Sequence, residues 1–136
     1  MNVIADTGLL VALARERDEY HDWAVEVAEQ IKWPALTCEA VLAETAYHLG
    51  STARVLGMLR DNVLRVPFDC TSHWEQLLDL ATRYADLRPD LADLCLIRMS
   101  ELYPHHTVIT VDADFRVYRR NKREAIPLLT PPRSKK

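Results

Sequence analysis

The chain alternates between short apolar runs and longer stretches in which apolar residues recur every three or four positions. The short runs, which are typical of buried strands, cover residues 2–5, 35–37, 64–68, 107–111 and 126–129. The stretches with helical spacing cover residues 7–15, 20–31, 39–49, 53–61, 71–85 and 91–103, and a further helical turn covers 114–120. Strands that alternate with helices predict an α/β domain with a mainly parallel sheet of about five short strands and helices on both faces.

Several residues mark the ends of the predicted elements. Pro34 stops the second helix, and Gly50 occupies the position that often follows a helix C-terminus. Asp90 and either Ser51 or Thr52 have side chains that cap helix N-termini. The tryptophans occur at helical spacing with aliphatic residues, which predicts that they are buried. The fifth helix is accordingly expected to bury a stripe that consists of Trp74, Leu77, Leu78 and Ala81.

The length of 136 residues and the hydrophobic fraction of 49% indicate one globular domain, placed at residues 1–131 and followed by a flexible basic tail at 132–136. Only three glycines occur, and no Gly-rich nucleotide-binding loop is present. Neither a membrane span of roughly 18 apolar residues nor a secretory signal is predicted. Three widely separated cysteines without a CxxC pair indicate reduced thiols and a cytoplasmic protein.

The net charge of −3 hides an uneven distribution. Residues 116–136 contain eight of the 17 lysines and arginines and a single acid, so this segment carries a charge of +7 and the first 115 residues carry −10. The sequence therefore predicts an acidic body with a basic end. Five of these basic residues either contact the phosphates of a nucleic acid or form a solvated face: Arg116, Arg119, Arg120, Lys122 and Arg123.

Four acidic residues that are distant in sequence are expected to meet at the carboxyl edge of the sheet. Asp6 directly follows the first strand and Asp112 follows the fourth, and neighbouring parallel strands end at the same edge. The helix at 91–103 joins the fourth strand through a short turn, so its first turn, which contains Asp93, lies at that edge as well. Glu44 lies roughly 8 Å along the axis of the helix that follows the second strand.

Carboxylates that are packed together repel one another, so either their pKa values rise or a cation neutralises them. No lysine or arginine occurs within the immediate motifs of these four acids. Oxygen ligands of this kind favour a hard divalent cation, Mg²⁺ or Mn²⁺, which leaves coordination positions open for a substrate phosphate. The sequence therefore predicts a metal site at Asp6, Glu44, Asp93 and Asp112.

Each of these residues also has a simpler interpretation. Asp93 would serve helix capping, and a lone Glu44 is more often an exposed helical acid. Glu44 and His48 have the spacing of two zinc ligands on a helix, but no HExxH motif is present. Thr7 and Thr110 either cap local turns or orient the neighbouring carboxylates. The joint placement of the acids, rather than any one of them, favours the metal site.

Four short motifs follow one another along the chain. They are Asp6-Thr7 after the first strand, Val41-Leu42-Ala43-Glu44 within a helix, Asp90-Leu91-Ala92-Asp93 at a helix start, and Thr110-Val111-Asp112-Ala113-Asp114-Phe115. Together these motifs resemble those of the PIN-domain ribonucleases, and most closely the VapC-like toxins of prokaryotic toxin–antitoxin pairs. The resemblance spans residue 2 to about residue 131. Gly8 and Leu94-Cys95 depart from the family's pattern, which has a small polar residue and smaller residues at these positions.

The resemblance implies a three-layer PIN-like fold and a metal-dependent endoribonuclease that cleaves single-stranded or looped RNA with Mg²⁺ or Mn²⁺. It assigns catalysis and metal binding to Asp6, Glu44, Asp93 and Asp112. It adds Asp114 as a further metal ligand, and Thr110 and Phe115 as supporting residues. It also implies a homodimer and a small VapB-like antitoxin that blocks the acidic residues. Four apolar residues either form a groove for a helix of that partner or belong to the core: Trp33, Val55, Leu56 and Leu59.

Two other classes of protein have a similar size or architecture. A non-catalytic PIN module would bind RNA or a protein without cleavage, although all four acids are present here. A phosphoacceptor receiver domain would have an acceptor aspartate after a strand, in the position of Asp69. It would also need an acid pair after the first strand and a lysine after a late strand. Asp6 is followed by Thr7 instead, and the strand at 107–111 leads to Asp112.

Overall fold

The computed structural model describes residues 1–132, and this part of the chain contains seven short strands and six α-helices. The strands are β1 (Val3–Ala5), β2 (Ala35–Leu36), β3 (Leu64–Arg65), β4 (Thr107–Ile109), β5 (Arg119–Arg120), β6 (Glu124–Ala125) and β7 (Leu128–Leu129). The helices are α1 (Thr7–Ala14), α2 (His21–Ala28), α3 (Glu39–Leu49), α4 (Thr52–Arg60), α5 (Trp74–Arg83) and α6 (Leu91–Leu102). Short 3₁₀ helices cover Cys70–His73, Ala85–Leu87 and Ala113–Arg116.

Five of the strands form one parallel sheet in the order β3-β2-β1-β4-β7. Ile4 of the central strand β1 pairs with Leu36 on one side and with Val108 on the other. Right-handed crossovers place α1 to α4 on one face and α5 and α6 on the other, in agreement with the packing of α1 on α3 and of α5 on α6. The predicted α/β fold, with a parallel sheet of five short strands between helices, is confirmed.

The core lies on both faces of the central strands. All three residues of β1 are buried, as are Val108 and Ile109 of β4. Because helices cover both faces of this sheet, its strands β1 and β2 are apolar throughout instead of alternating between apolar and polar residues. The helix α6 is the most deeply buried helix neighbour of these strands, and seven of its twelve residues are buried. The central strands and α6 therefore provide a rigid base for residues at the carboxyl edge of the sheet.

The predicted stripe on the fifth helix is wrong in part. Trp74 and Leu78 are 61% and 59% exposed, whereas Leu77 and Leu80 are buried. A 3₁₀ turn at Cys70–His73 precedes the helix, and the face that packs against the core follows the spacing 77, 80, 81 and 84. Trp33 is also more than one-third exposed. The expectation that all tryptophans are buried is therefore wrong.

The predicted helical turn at 114–120 holds only as far as Arg116. Beyond it, β5 and β6 form an antiparallel hairpin in which Arg120 pairs with Glu124. Asn121 and Lys122 have positive φ angles of 48° and 69°, the left-handed conformation that tight hairpin turns require. The predicted tail falls mostly on residues 133–136, which lie outside the described residues. None of the helices in residues 1–132 is long and apolar enough to cross a membrane.

Candidate active site

A pocket of about 380 Å³ lies at the carboxyl edge of the sheet. Seven carboxylates line it, and we call it the acidic pocket; they belong to Asp6, Asp18, Glu19, Glu44, Asp90, Asp93 and Asp112. Within residues 1–132, no lysine or arginine lines this pocket. The four acids that the sequence analysis expected to meet are therefore all part of one pocket, together with three further acids.

Asp6 is the most constrained of these acids. It ends β1, caps the N-terminus of α1 and is only 7% exposed. Its Oδ1 accepts a hydrogen bond from the backbone N–H of Thr7 at 2.7 Å, and its Oδ2 accepts one from the hydroxyl of Thr110 at 2.5 Å. Burial raises the pKa of Asp6, and these two hydrogen bonds oppose that rise because they favour the ionised form.

Glu44 reaches the pocket from the second turn of α3. Its Oε2 accepts a hydrogen bond from the hydroxyl of Thr7 at 3.0 Å, so Thr7 contacts both Asp6 and Glu44. Burial, followed by the hydrogen bond and the charge of Asp90, raises the pKa of Glu44 to about 7. Within residues 1–132, no lysine or arginine lines the pocket to oppose this rise by stabilising the ionised form of Glu44.

Asp93 and Asp90 form a capping box at the start of α6. The Oδ1 of Asp90 accepts the backbone N–H of Asp93 at 2.9 Å, and the Oδ2 of Asp93 accepts the N–H of Asp90 at 3.1 Å. Burial raises the pKa of Asp93 to about 7, and the charges of Asp90, Asp6 and Asp112 add to the rise. The capping roles expected for both residues are confirmed. The sequence analysis missed that Asp90 also lines the pocket beside Glu44. The Asp-Leu-Ala-Asp motif could have indicated it, because it places Asp90 next to Asp93 at the same helix start.

Asp112 lies three residues beyond the end of β4 and lines the acidic pocket. Its backbone N–H donates to the hydroxyl of Thr110 at 3.0 Å, and its Oδ1 accepts the N–H of Asp114 at 2.9 Å. Thr110 thus links Asp6 and Asp112 through one hydroxyl. Asp114 does not belong to the lining of the acidic pocket. Phe115, which the resemblance marks as a supporting residue, is fully buried below this turn.

The pocket as a whole concentrates negative charge. Within residues 1–132, no group of three His, Cys, Asp or Glu side chains is arranged to hold a metal ion directly. Glu44 and His48 therefore do not belong to a zinc-like cluster of three ligands, although His48 lines the pocket. Hard carboxylate oxygens without a compensating lysine or arginine are the donor set that a divalent cation such as Mg²⁺ uses through few direct ligands and several waters.

An apolar wall closes one side of the acidic pocket. A Cβ atom on Gly8 would lie 2.3 Å from Cγ2 of Val111, so the valine side chain occupies the space that a side chain at position 8 would need. Gly8 and Val111 both line the pocket. This contact explains structurally why the chain has glycine where the family pattern has a small polar residue.

The basic segment, defined as Arg116, Arg119, Arg120, Lys122 and Arg123, does not line the acidic pocket. Arg119 donates to the backbone oxygens of residues 116 and 118 at 2.8 and 3.1 Å. Arg120 donates to the carbonyls of Ser100 and Pro104 at 2.9 and 3.0 Å. Arg120 therefore holds the hairpin against the end of α6, and Arg119 bonds within its own segment. The other three side chains are exposed.

Four apolar residues were predicted to line a groove for a partner or to belong to the core, and the structure places some of them in each setting. Val55 and Leu56 line a cavity of about 500 Å³ between α3 and α4, together with Leu42 and Tyr47. Val55 is buried, but Leu56 is 55% exposed. The predicted groove residues Trp33 and Leu59 do not line this cavity.

Comparisons with known proteins define the class of this fold and site. The model of the PIN domain family matches residues 3–121, so the chain belongs to the PIN domain family. Its structure is similar to that of VapC20 from Mycobacterium tuberculosis, which is described as a toxin that cleaves the sarcin–ricin loop. The match has a TM-score of 0.73 and 20% sequence identity, and it covers 85% of this chain and 94% of VapC20. No curated protein sequence gives a significant match.

Proposed function

We propose that this chain is a metal-dependent endoribonuclease that cleaves single-stranded or looped RNA, and that it acts as the toxin of a VapBC-type pair. The single observation that carries the proposal is the acidic pocket, where four carboxylates from distant segments meet without a lysine or arginine. Membership in the PIN family supports a nuclease. The similarity to VapC20, a toxin described as cleaving an RNA loop, supports RNA as the substrate.

The residues of the pocket suit a hard divalent cation, Mg²⁺ or Mn²⁺. Asp6 and Asp93 would contribute most to the ligand set, and Glu44 and Asp112 would complete it or hold waters. Burial raises the pKa values of Glu44 and Asp93 to about 7, and within residues 1–132 no lysine or arginine lines the pocket to oppose that rise. A bound cation supplies that charge, lowers the pKa of a bound water and offsets charge on the reacting phosphate. The additional ligand role of Asp114 stays a prediction.

The neighbouring residues of the chain position these acids. Thr110 and the backbone of Thr7 donate to both oxygens of Asp6, which holds its carboxylate in one orientation and favours the ionised form. The hydroxyl of Thr7 has the same effect on Glu44. The capping box holds Asp93 in the first turn of α6, where the positive end of the helix dipole favours a carboxylate.

The proposal extends to the partners of the chain. A toxin of this type would form a homodimer in the cytoplasm and bind a small VapB-like antitoxin that blocks the acidic pocket. The cavity between α3 and α4, with the exposed Leu56 and Tyr47, would accept an apolar helix of that antitoxin. The basic segment would contact RNA phosphates through Arg116, Lys122 and Arg123, since Arg119 and Arg120 are bound to backbone carbonyls.

A cleavage assay tests the proposed reaction. Purified chain is incubated with a panel of structured RNAs in the presence of Mn²⁺, Mg²⁺ or EDTA, and the ends of the products are identified. We expect cleavage at unpaired positions with either metal, none with EDTA, and products with 5′-phosphate and 3′-hydroxyl ends. Cleavage that persists in EDTA, or products with 2′,3′-cyclic phosphates, would contradict a metal-dependent mechanism. RNA binding without cleavage under all conditions would instead support the non-catalytic PIN module.

The remaining alternative, a receiver domain, places its acceptor at Asp69. The structure has Asp69 at the N-terminus of the 3₁₀ helix Cys70–His73, where its carboxylate accepts hydrogen bonds from Thr71 and Ser72. Asp69 does not line the acidic pocket. Since the chain belongs to the PIN family, this alternative has no remaining support.

A further inference from the structure

A second cavity, of about 190 Å³, adjoins the acidic pocket. Tyr20 and Val111 line both cavities, and Arg116, Thr130 and Pro131 line the smaller one. We propose that the smaller cavity is a subsite for one unpaired ribonucleotide next to the cleaved bond, with its base on the ring of Tyr20 and its phosphate at Arg116. This inference rests on the proposed ribonuclease function. It adds a binding site through which the chain would select unpaired RNA.

Charge is the first argument for this subsite. An RNA strand that approaches the seven carboxylates of the acidic pocket meets strong repulsion, because each of its phosphates is an anion. Within residues 1–132, Arg116 is the one lysine or arginine that lines either of the two cavities. It is therefore placed where the strand needs a cation next to the cleaved phosphate.

The hydrogen bonds of Arg116 separate it from its basic neighbours. Its guanidinium donates to the hydroxyl of Thr130 at 2.8 Å, and within the described residues it forms no ion pair with a carboxylate. The side chain is exposed, so its other N–H groups remain available for a phosphate, which arginine binds through two parallel hydrogen bonds. Arg120, by contrast, is paired with Glu124 and with two backbone carbonyls.

Tyr20 provides a fixed aromatic surface between the two cavities. Its backbone N–H donates to Oδ1 of Asp18 at 2.9 Å, and its carbonyl accepts the N–H of Ala24 at 2.9 Å. Its ring packs against the edge of the core and is only partly buried. Because every base has a flat aromatic face, stacking on such a ring is tolerant of sequence but requires an unpaired base.

The size of the cavity supports the same selection. A volume of about 190 Å³ suits a single base. Pro131 and the side chain of Val111 provide apolar surface around this space. Occupation of this subsite by a base of an RNA duplex would require that base to be unpaired, so the subsite would favour single strands or loops.

Binding measurements with matched oligomers test the subsite. Fluorescence anisotropy in EDTA compares a labelled eight-nucleotide RNA with an abasic ribose-phosphate oligomer of the same length. Tyr20→Leu, which keeps apolar packing, should weaken binding of the base-bearing RNA by about 5- to 150-fold, the range for one base–aromatic stack. It should leave binding of the abasic oligomer unchanged, and Tyr20→Phe should bind like the unmodified chain.

The charge of Arg116 is tested in the same way. Arg116→Gln should weaken binding of both oligomers equally and reduce the salt dependence of binding by about one phosphate contact.

The control for lost charge is Arg60→Gln, because Arg60 is 78% exposed, lines neither cavity and, among the described residues, forms an ion pair with Asp61 alone. The subsite would be overturned if Tyr20→Leu weakened binding of both oligomers equally. It would also be overturned if Arg116→Gln and Arg60→Gln changed binding by the same factor. Unchanged melting temperatures establish that the variants are folded. Cleavage by the unmodified chain with Mn²⁺ is measured separately. Its absence would overturn the ribonuclease proposal, whereas normal cleavage with unchanged binding in Tyr20→Leu would overturn the subsite alone.

Discussion

The acidic pocket and the basic segment lie on one domain but use their charges in opposite ways. In the pocket, seven carboxylates face one another, and two of them have pKa values raised to about 7. In the basic segment, Arg119 and Arg120 donate to backbone carbonyls. The pocket therefore holds charge that the fold does not compensate, whereas much of the basic charge stabilises the fold itself.

This difference shows which kind of charge points to function. A charged side chain that is partly buried and faces no oppositely charged side chain is a candidate for binding a ligand. A charged side chain that donates to backbone carbonyls contributes to the stability of the fold. By this criterion Asp6, Glu44 and Asp93 are functional candidates, and Arg120 is a structural residue.

The largest expected effect comes from neutralising one acid of the pocket. Asp93→Asn should lower metal-dependent RNA cleavage by more than about 100-fold, since loss of residues that only support a ligand already costs about 10- to 100-fold. The asparagine oxygen retains an acceptor for the N–H of Asp90, so the cap of α6 persists. Initial cleavage rates and circular dichroism measure the two outcomes.

The matched control is Asp69→Asn, which neutralises a capping aspartate outside the acidic pocket. We expect its cleavage rate to stay close to that of the unmodified chain. Full activity in Asp93→Asn, or an equal loss in Asp69→Asn, would remove Asp93 from the proposed ligand set.

The second prediction concerns the basic segment. Arg120→Gln should lower the free energy of unfolding by about 1–3 kcal/mol, because the carbonyls of Ser100 and Pro104 lose their donor. Lys122→Gln removes the same charge from an exposed side chain and should change stability by less than about 0.5 kcal/mol. Urea unfolding measures both. Equal stability of the two variants would show that Arg120 has no structural role.

The third prediction concerns the apolar wall of the acidic pocket. Gly8→Ala should destabilise the chain by about 1–3 kcal/mol, because the new methyl group overlaps the side chain of Val111. In a chain that carries Val111→Ala, the same change should be neutral or stabilising by up to about 1 kcal/mol, since alanine favours the helix more than glycine does. A double-mutant cycle measured by urea unfolding tests this change of sign. The same cost in both backgrounds would rule out the steric explanation.

The smallest expected effect is the pH dependence of stability without metal. The pKa values of Glu44 and Asp93 are about 7 in the folded chain, above the values near 4 of unfolded acids. The folded state therefore binds protons more tightly than the unfolded state. This contribution to stability is fully present below about pH 4 and is lost as the pH rises through about 7.

Melting temperatures in EDTA between pH 5 and pH 8 measure that dependence. We expect them to fall as the pH rises, to fall less in Glu44→Gln, and to follow the unmodified profile in Lys122→Gln. Addition of Mg²⁺ should raise the melting temperature more at the high end of the range, where the carboxylates are ionised. A profile that is flat or rises with pH would contradict the uncompensated charge of the pocket.

The parts of the fold that were predictable from sequence have strong local signals. The helix at 39–49 was predicted with the bounds that the structure has, because Gly50 adopts the left-handed conformation directly after it. The start of α6 followed from Asp90, whose side chain caps it. The meeting of Asp6 with Asp112 followed from parallel strands that end at one edge.

The parts that were not predictable depend on contacts between distant segments. The strands β5 and β6 have two residues each, too few to show an alternating pattern, and Arg119 and Arg120 do not differ in sequence from phosphate-binding arginines. Trp74 is exposed because the preceding 3₁₀ turn sets where α5 begins, and so which of its residues face the core. Tyr20 has no motif of its own, and its place beside the acidic pocket is visible only in the folded chain.

The hydrogen bond from Thr110 to Asp6 joins residues that are 104 positions apart. During synthesis on the ribosome, a chain that ends before β4 lacks both Thr110 and Asp112, so its first aspartate has neither its positioning partner nor its neighbour. Under the proposed function, a chain released before β4 is therefore expected to lack cleavage activity.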